Sequence, residues 1–449
     1  MPDRSLTGTQ VMLLLSVPVT LVLCGAFWIH LDGLNGPAYW SWTWRQLPSA
    51  AFATAAILAL IPWLAAHRYK SRPVLAMMLL MLSFWLLEAA VFRLGFASPT
   101  GRSSTDVLMA ATRDHDVTGY FSDASSLRSH SLREVLSHYP QSLRRMSPHG
   151  GTKGPGPVLL YWIAQRLARS SNAAALVTAL LIAGLSALVI PATALLARTL
   201  EQDRGAGFEA AAWIAILPAF VGFAPGLDRL YGLFTVALLL TWFRALRTGG
   251  WLVPAFAAAL AITVFFSYSL LVLGFTCAGM MVIAVIDGAT TPRDALSRAT
   301  GSIACFAFLY AVLWAASGYS LPAAYQAAWR NQQGMLAALR RPWPDTIAFD
   351  LYDFALGSAF VTIAVVLRAA LRRGAATHRW LARLALALPV VVATSGLLAA
   401  ETARVWLFLL PVIAIPVGAE LSSAPAQERI ALKGAVLLLS FSILRNVTF

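Results

Sequence analysis

The chain has 449 residues, 59% of them hydrophobic and only 12% charged, against roughly 25% charged in soluble domains. That deficit excludes a water-soluble protein of this length, and the lack of short alternating segments excludes a membrane β-barrel. The net charge of +14 does not indicate nucleic acid, because the basic residues gather in short links at 67–72, 244–247, 368–373 and 378–383, the pattern that anchors cytoplasmic loops.

A bilayer is crossed by about 20 apolar residues in a helix. Apolar runs fall near 11–31, 50–66, 74–94, 172–198, 208–223, 228–245, 251–266, 268–286, 298–316, 350–370, 382–399, 404–421 and 430–446. The expectation is an all-α polytopic membrane protein with about thirteen transmembrane helices, forming a single transmembrane domain over 1–449. The first run lacks a cleavage site of small residues and reads as a retained anchor. Runs 208–223 and 251–266 are short, which suits tilted or broken helices. Segment 157–169 is too short to span and reads as an interfacial or re-entrant helix. Cys24, Cys277 and Cys305 all lie in apolar runs without metal-ligand spacing and read as packing residues.

With the N-terminus in the cytoplasm, the basic links at 67–72, 198–204, 244–248, 293–298 and 368–383 fall inside. A long polar stretch at 95–156, the turn at 223–232, a second loop at 317–349 and the link at 399–404 then fall outside. The expected location is the plasma (inner) membrane, multi-pass, with any chemistry on the extracytoplasmic side. The polar stretch holds four of the seven histidines (His115, His130, His138, His149) and five of the twenty acids (Asp106, Asp114, Asp116, Asp123, Glu134). Ionisable groups are costly inside a span, so a loop that concentrates them marks the place for a site. Helical spacing of Leu127, Leu132, Val135 and Leu136 predicts partial order, with a capping box at Ser131 and Glu134.

Four elements in these outer segments carry chemistry. In Arg113-Asp114-His115-Asp116, two carboxylates flank a histidine; a carboxylate there suits a general base, or a divalent cation (Mg2+ or Mn2+) held by Asp114 and Asp116. The turn Pro148-His149-Gly150-Gly151-Thr152-Lys153-Gly154-Pro155-Gly156-Pro157 exposes backbone N–H groups beside a lysine and a histidine, which suits a phosphate, though it is not a P-loop. Asp228-Arg229 and Glu401-Thr402-Ala403-Arg404 each place an acid beside a base at the end of a span. Arg404 is a fork-shaped permanent cation and a good phosphate ligand. Each element also has an ordinary explanation as solvated loop, turn or snorkelling arginine.

The segment Thr118-Gly119-Tyr120-Phe121, followed by Asp123-Ala124, then a loop helix, then Thr152-Lys153-Gly154-Pro155-Gly156-Pro157 opening an apolar segment, resembles the GT-C superfamily of membrane glycosyltransferases. Some members carry T-H-P-P-G-P at that turn; here Lys153 replaces the histidine, with His149 nearby. Pro225-Gly226-Leu227-Asp228 and Glu401 to Trp406 also look like elements of bacterial members, and the likeness covers about 75–420. Members place the large loop after their first helix; here it follows the third, consistent with two added N-terminal helices.

The resemblance implies a polyprenyl-phosphate-linked sugar donor, an inverting single displacement and a catalytic aspartate in the first large outer loop. On that basis Asp116 or Asp114 is the base, with Asp116 favoured because it directly precedes Val117-Thr118-Gly119-Tyr120. Arg404, Lys153, Arg229 and His149 would hold the donor phosphate, and Tyr120, Asp228 and Glu401 would bind substrate. The acceptor would be a glycan, lipid or protein, with Trp329, Arg330, Asn331 and Gln332 in the second loop suited to sugar. The rival classes are a transporter or flippase for a lipid-linked glycan, a polysaccharide polymerase or ligase of another fold, and a non-catalytic assembly partner. Few internal charges in the spans weigh against a coupled carrier.

Overall fold

Alanine- and leucine-rich runs satisfy their backbone groups locally when they coil, which a lipid environment demands. In a computed structural model they form helices almost throughout. The described residues are 8–32, 34, 43–115, 119–201, 203–338, 343–372, 376–396, 398 and 401–448. Six helices are long and apolar enough to cross a membrane: Ser49–Arg68, Pro73–Ala97, Ser171–Glu201, Leu227–Thr248, Tyr268–Ile286 and Pro292–Ser317. Ile347–Gly357 and Val361–Leu371 make a seventh if the pair is one span, bent by 99°. Among the described residues the expected count of about thirteen is therefore not reached by whole apolar helices.

The shortfall has local causes. Expected run 208–223 is broken into Arg204–Ile214 and Pro218–Gly222, where Pro218 cannot continue the preceding helix. Run 251–266 is the short helix Leu252–Phe266. Run 404–421 opens as the single turns Thr402–Val405 and Leu407–Leu409 before Leu410–Ser423 begins. Run 430–446 lies in Ala426–Asn446, which also carries Glu428, Arg429, Lys433 and Arg445. Run 350–370 bends at Ala359 (φ 61°) and Phe360 (φ 36°). Left-handed backbone at two such residues costs about 1–3 kcal/mol each, so the surrounding packing must hold it.

The chain divides into two compact units. The first comprises the described parts of Met1–Thr100, Ala187–Ala224 and Asp345–Phe449. Its centre is the helix Leu410–Ser423, buried on nearly every side and packed against Arg204–Ile214. A Cβ on Gly418 would lie 2.2 Å from the Ala206 carbonyl oxygen, so the two backbones touch where a side chain would part them. Thr43–Trp44 pairs antiparallel with Val447–Thr448.

This unit also buries charge. Lys433 Nζ lies 2.5 Å from Glu209 and 2.7 Å from His67 Nε2. Arg368 bridges Glu420 (3.3 Å) and Glu428. Arg372 reaches Glu420 at 3.3 Å, and His378 spans Glu201 (3.2 Å) and Glu420 (3.3 Å). These acids and bases are spaced too far apart in sequence to look like partners, and only packing joins them.

The second unit comprises the described parts of Gly101–Ser186 and Pro225–Pro344. It contains most of the polar stretch, its following helix Pro155–Leu167, the membrane-length helices Leu227–Thr248, Tyr268–Ile286 and Pro292–Ser317, and the helix Leu321–Ala338. That last element occupies much of the region expected as the loop 317–349.

Candidate functional site

The polar stretch is ordered as a string of short capped helices. Ser103 Oγ accepts from Asp106 N at 3.1 Å and starts Ser104–Arg113. The capping box at Ser131 and Glu134 is present in both halves: Glu134 accepts from Ser131 N (2.7 Å), and Ser131 Oγ accepts from Glu134 N (3.3 Å). These backbone and hydroxyl donors hold the exposed Glu134 carboxyl below its ordinary value. The helix Pro155–Leu167 then stitches onto Tyr120–Ser126. Gln165 Nε2 donates to Phe121 O (2.8 Å), Gln165 Oε1 accepts from Ser125 Oγ (3.2 Å), and Trp162 Nε1 donates to Leu127 O (3.0 Å).

Asp123 is the hinge-pin of this arrangement. Its side chain is buried at 5% exposure and accepts from Ser147 N (2.8 Å) and Ser147 Oγ (2.7 Å), while Ser147 Oγ accepts from Gly150 N (3.0 Å). A Cβ on Gly150 would sit 2.0 Å from Asp123 Oδ2, and one on Gly119 would sit 2.0 Å from Ser147 Oγ. Gly119 also has φ +67°, a conformation that glycine adopts freely. Burial raises the Asp123 carboxyl above its ordinary value, and the two Ser147 hydrogen bonds and nearby His115 oppose that shift. The acidic segment is therefore latched to the Gly/Pro turn by a buried carboxylate.

The turn itself is held from several sides. Tyr139, fully buried, donates from its hydroxyl to Lys153 O (3.2 Å) and Gly154 O (2.8 Å). Burial, then neighbouring Tyr319 and Asp123, pushes that hydroxyl's pKa well up, so it stays a donor. A Cβ on Gly154 would lie 2.1 Å from Phe265 O, and one on Gly156 would lie 2.7 Å from the Phe266 ring. Lys153 is buried, with Nζ 5.9 Å from the centroid of the Tyr231 ring, a cation–π approach. Tyr120 stacks on Tyr161 with centroids 6.1 Å apart. Burial and then nearby Asp228 push the Tyr161 hydroxyl up, and Asp228 lies near Tyr231 as well. Asp228 and Arg229 are both buried, on the single 3-10 turn Leu227–Leu230.

The second unit therefore brings Tyr120, Lys153 and Asp228 around Tyr161 and Tyr231, with Arg229 next in the chain to Asp228. His149 is half-buried at the start of the same turn, its carbonyl accepting from Thr152 Oγ at 3.2 Å. Asp114 is exposed and ends the helix Ser104–Arg113; its carbonyl accepts from Gly119 N at 3.2 Å. Beside it, His115 Nδ1 lies 2.9 Å from Ser122 Oγ. Asp116, with Val117 and Thr118, lies outside the described residues. Among those described, no group of three or more His, Cys, Asp or Glu is arranged to hold a metal ion.

Glu401 and Arg404 belong to the first unit, where they form an ion pair with each other. Glu401 has φ 53°, and Asp353 fixes the turn after it by accepting from Ala403 N (2.8 Å) and Thr402 Oγ (3.3 Å). Asn331, expected to suit a sugar, donates its Nδ2 to the carbonyls of Leu143 and Gly151, both at 2.9 Å. Tyr161 and Tyr231 carry no sequence signal of a site, because a tyrosine in an apolar run looks like any core aromatic, and Tyr139 stands in the polar stretch outside every motif. No protein-family model matches the chain, and no curated protein matches it.

Proposed function

We propose that the chain is a membrane glycosyltransferase of the GT-C type. It moves a sugar from a polyprenyl-phosphate donor to a glycan, lipid or protein acceptor on the extracytoplasmic side. The observation that carries this is the latched pair of segments: the acidic segment ending in Asp123 is bonded through Ser147 to the turn that buries Lys153 against Tyr231. A buried lysine at a glycine-rich turn suits a phosphate leaving group. Stabilising that group's developing charge is the main catalytic demand, since it needs no protonation. Asp116 or Asp114 takes the acceptor hydroxyl's proton as the new glycosidic bond forms and the bond to phosphate breaks. Asp228, beside Tyr161 and Tyr231, and Tyr120 bind substrate. Arg404, paired with Glu401, is a separate phosphate-ligand candidate with its own test.

Three contacts support the threading behind this proposal, since each joins segments expected on the same side. They are the strand pair of 43–44 with 447–448, Glu201 with His378, and Gly151 with Asn331. The expected plasma-membrane location draws on the six helices long and apolar enough to cross a membrane.

The test uses purified protein in lipid vesicles with a panel of polyprenyl-phosphate hexoses and pentoses and cell-envelope extract as acceptor. Release of polyprenyl phosphate is expected from at least one donor, with loss of release in Asp116→Ala or Asp114→Ala at unchanged melting temperature. Full release in both variants sinks the base assignment, and no release from any donor sinks the enzyme class. The rival reading is a carrier for a lipid-linked glycan. Protein-dependent flipping of a fluorescent lipid-linked glycan without sugar transfer would select that reading.

A further inference from the structure

We propose that Asn331 is a positioning residue for the lysine-bearing turn, and that the helix Leu321–Ala338 is a fixed brace rather than a lid. This rests on the reading of that turn as the donor-phosphate site. Asn331 Nδ2 donates to Leu143 O and to Gly151 O, both at 2.9 Å, across 188 and 180 residues of sequence. One amide nitrogen has two protons, and here each goes to one limb of the segment that leads into Lys153. Gly151 is the reason the amide gets so close. A Cβ there would stand 2.9 Å from Leu143 O and 3.1 Å from Asn331 Nδ2.

The start of the same segment is tied in as well. Tyr319, fully buried, lies 6.2 Å ring to ring from Tyr139 and shares a 2.9 Å hydroxyl contact with Tyr268. Tyr139 in turn holds Lys153 O and Gly154 O. Asn331 on one side and the Tyr319–Tyr139 contact on the other therefore converge on residues 151–154. The backbone at Lys153 has little freedom while both are in place, and a lysine held in one orientation loses less freedom on binding an anion.

Asn331→Asp keeps the shape but turns a two-proton donor into an acceptor facing two carbonyls; Asn331→Ala only removes the donor. The probes are farnesyl phosphate and farnesol, measured by calorimetry on the full chain in lipid nanodiscs. Asn331→Asp should weaken farnesyl phosphate by about tenfold, leave farnesol affinity unchanged, and be non-additive with Lys153→Ala. Asn331→Ala should fall between Asp and wild type. Amide exchange over 143–154, which needs no ligand, should accelerate in both. Unchanged exchange with wild-type farnesyl phosphate affinity in both variants overturns the brace while leaving the phosphate site standing. Equal affinity of wild type and Lys153→Ala overturns the phosphate site and the brace's purpose with it. Should Asn331→Asp fail to fold, the exchange and affinity of Asn331→Ala decide alone.

Discussion

Replacing Asp123 by alanine removes both acceptors of Ser147, whose backbone N–H (2.8 Å) and hydroxyl (2.7 Å) are left in a place where Ser147 is 1% exposed. Hydrogen bonds to a charged group contribute about 1.5–3 kcal/mol each, and stranded buried donors cost a similar amount. Against that stands the relief of no longer burying a carboxylate, the same burial that raises its pKa. The balance is a local destabilisation of about 2–3 kcal/mol, which speeds opening of the turn by about 30- to 150-fold. Hydrogen exchange of the amides at 143–152 reads this directly, because local opening has its own free energy. Ser147→Ala should cost about 1–2 kcal/mol through the same contact, and the double variant should fall well short of the sum. Asp123→Asn keeps one acceptor for Ser147 N and should lie between. Exchange at 143–152 within threefold of wild type in Asp123→Ala, or strict additivity with Ser147→Ala, would refute the latch.

The same carboxyl predicts a pH dependence. Its folded pKa lies above the ordinary 3.8, so the folded state holds the proton more tightly. Its contribution is therefore greatest in acid and declines as pH rises from about 3.8 through the raised value. The intrinsic-rate-corrected protection of 143–152 should follow that decline, and Asp123→Asn should be flat. For His378, burial opposes the charge but hydrogen bonds to Glu201 and Glu420 outweigh it, raising the pKa to about 9. That stabilisation is complete below 6.5 and is lost as pH rises through about 9; the melting temperature should fall across that window in wild type and not in His378→Gln. Gly154→Ala drives a Cβ to 2.1 Å from the Phe265 carbonyl oxygen, backbone that cannot swing aside, and should cost about 1–3 kcal/mol or more with loss of phosphate binding; normal melting and binding would show the turn to be loose. Arg404→Ala frees Glu401 from its ion pair; a weaker affinity for farnesyl phosphate is expected if this arginine holds the phosphate, and an unchanged affinity removes it from the site.

Composition and periodicity determined much about this protein. They made it helical, because long apolar runs with so few charges satisfy their backbone groups within the segment when they coil. They marked the polar stretch as the exceptional segment, and they located the capping box at Ser131 and Glu134, whose partners are three residues apart. Whatever depended on neighbours along the chain was legible.

Whatever depended on neighbours in space was not. Asp123 stood in the sequence as part of a motif, and only its burial against Ser147 and Gly150 gave it a role. Asn331 had the chemistry to meet a sugar, and only the fold shows its Nδ2 bonded to the carbonyls of Leu143 and Gly151. Lys433 and Glu209 sit 224 residues apart, and Arg368 and Glu420 sit 52 apart, distances over which sequence carries no sign of pairing. The bend after Gly357 puts positive φ on Ala359 and Phe360, residues that carry no sign of it in the sequence. The physical reason is common to all of these: helix formation is a local free-energy choice, while burying a polar group is stable only when a partner arrives from elsewhere, and the fold alone decides which partner that is.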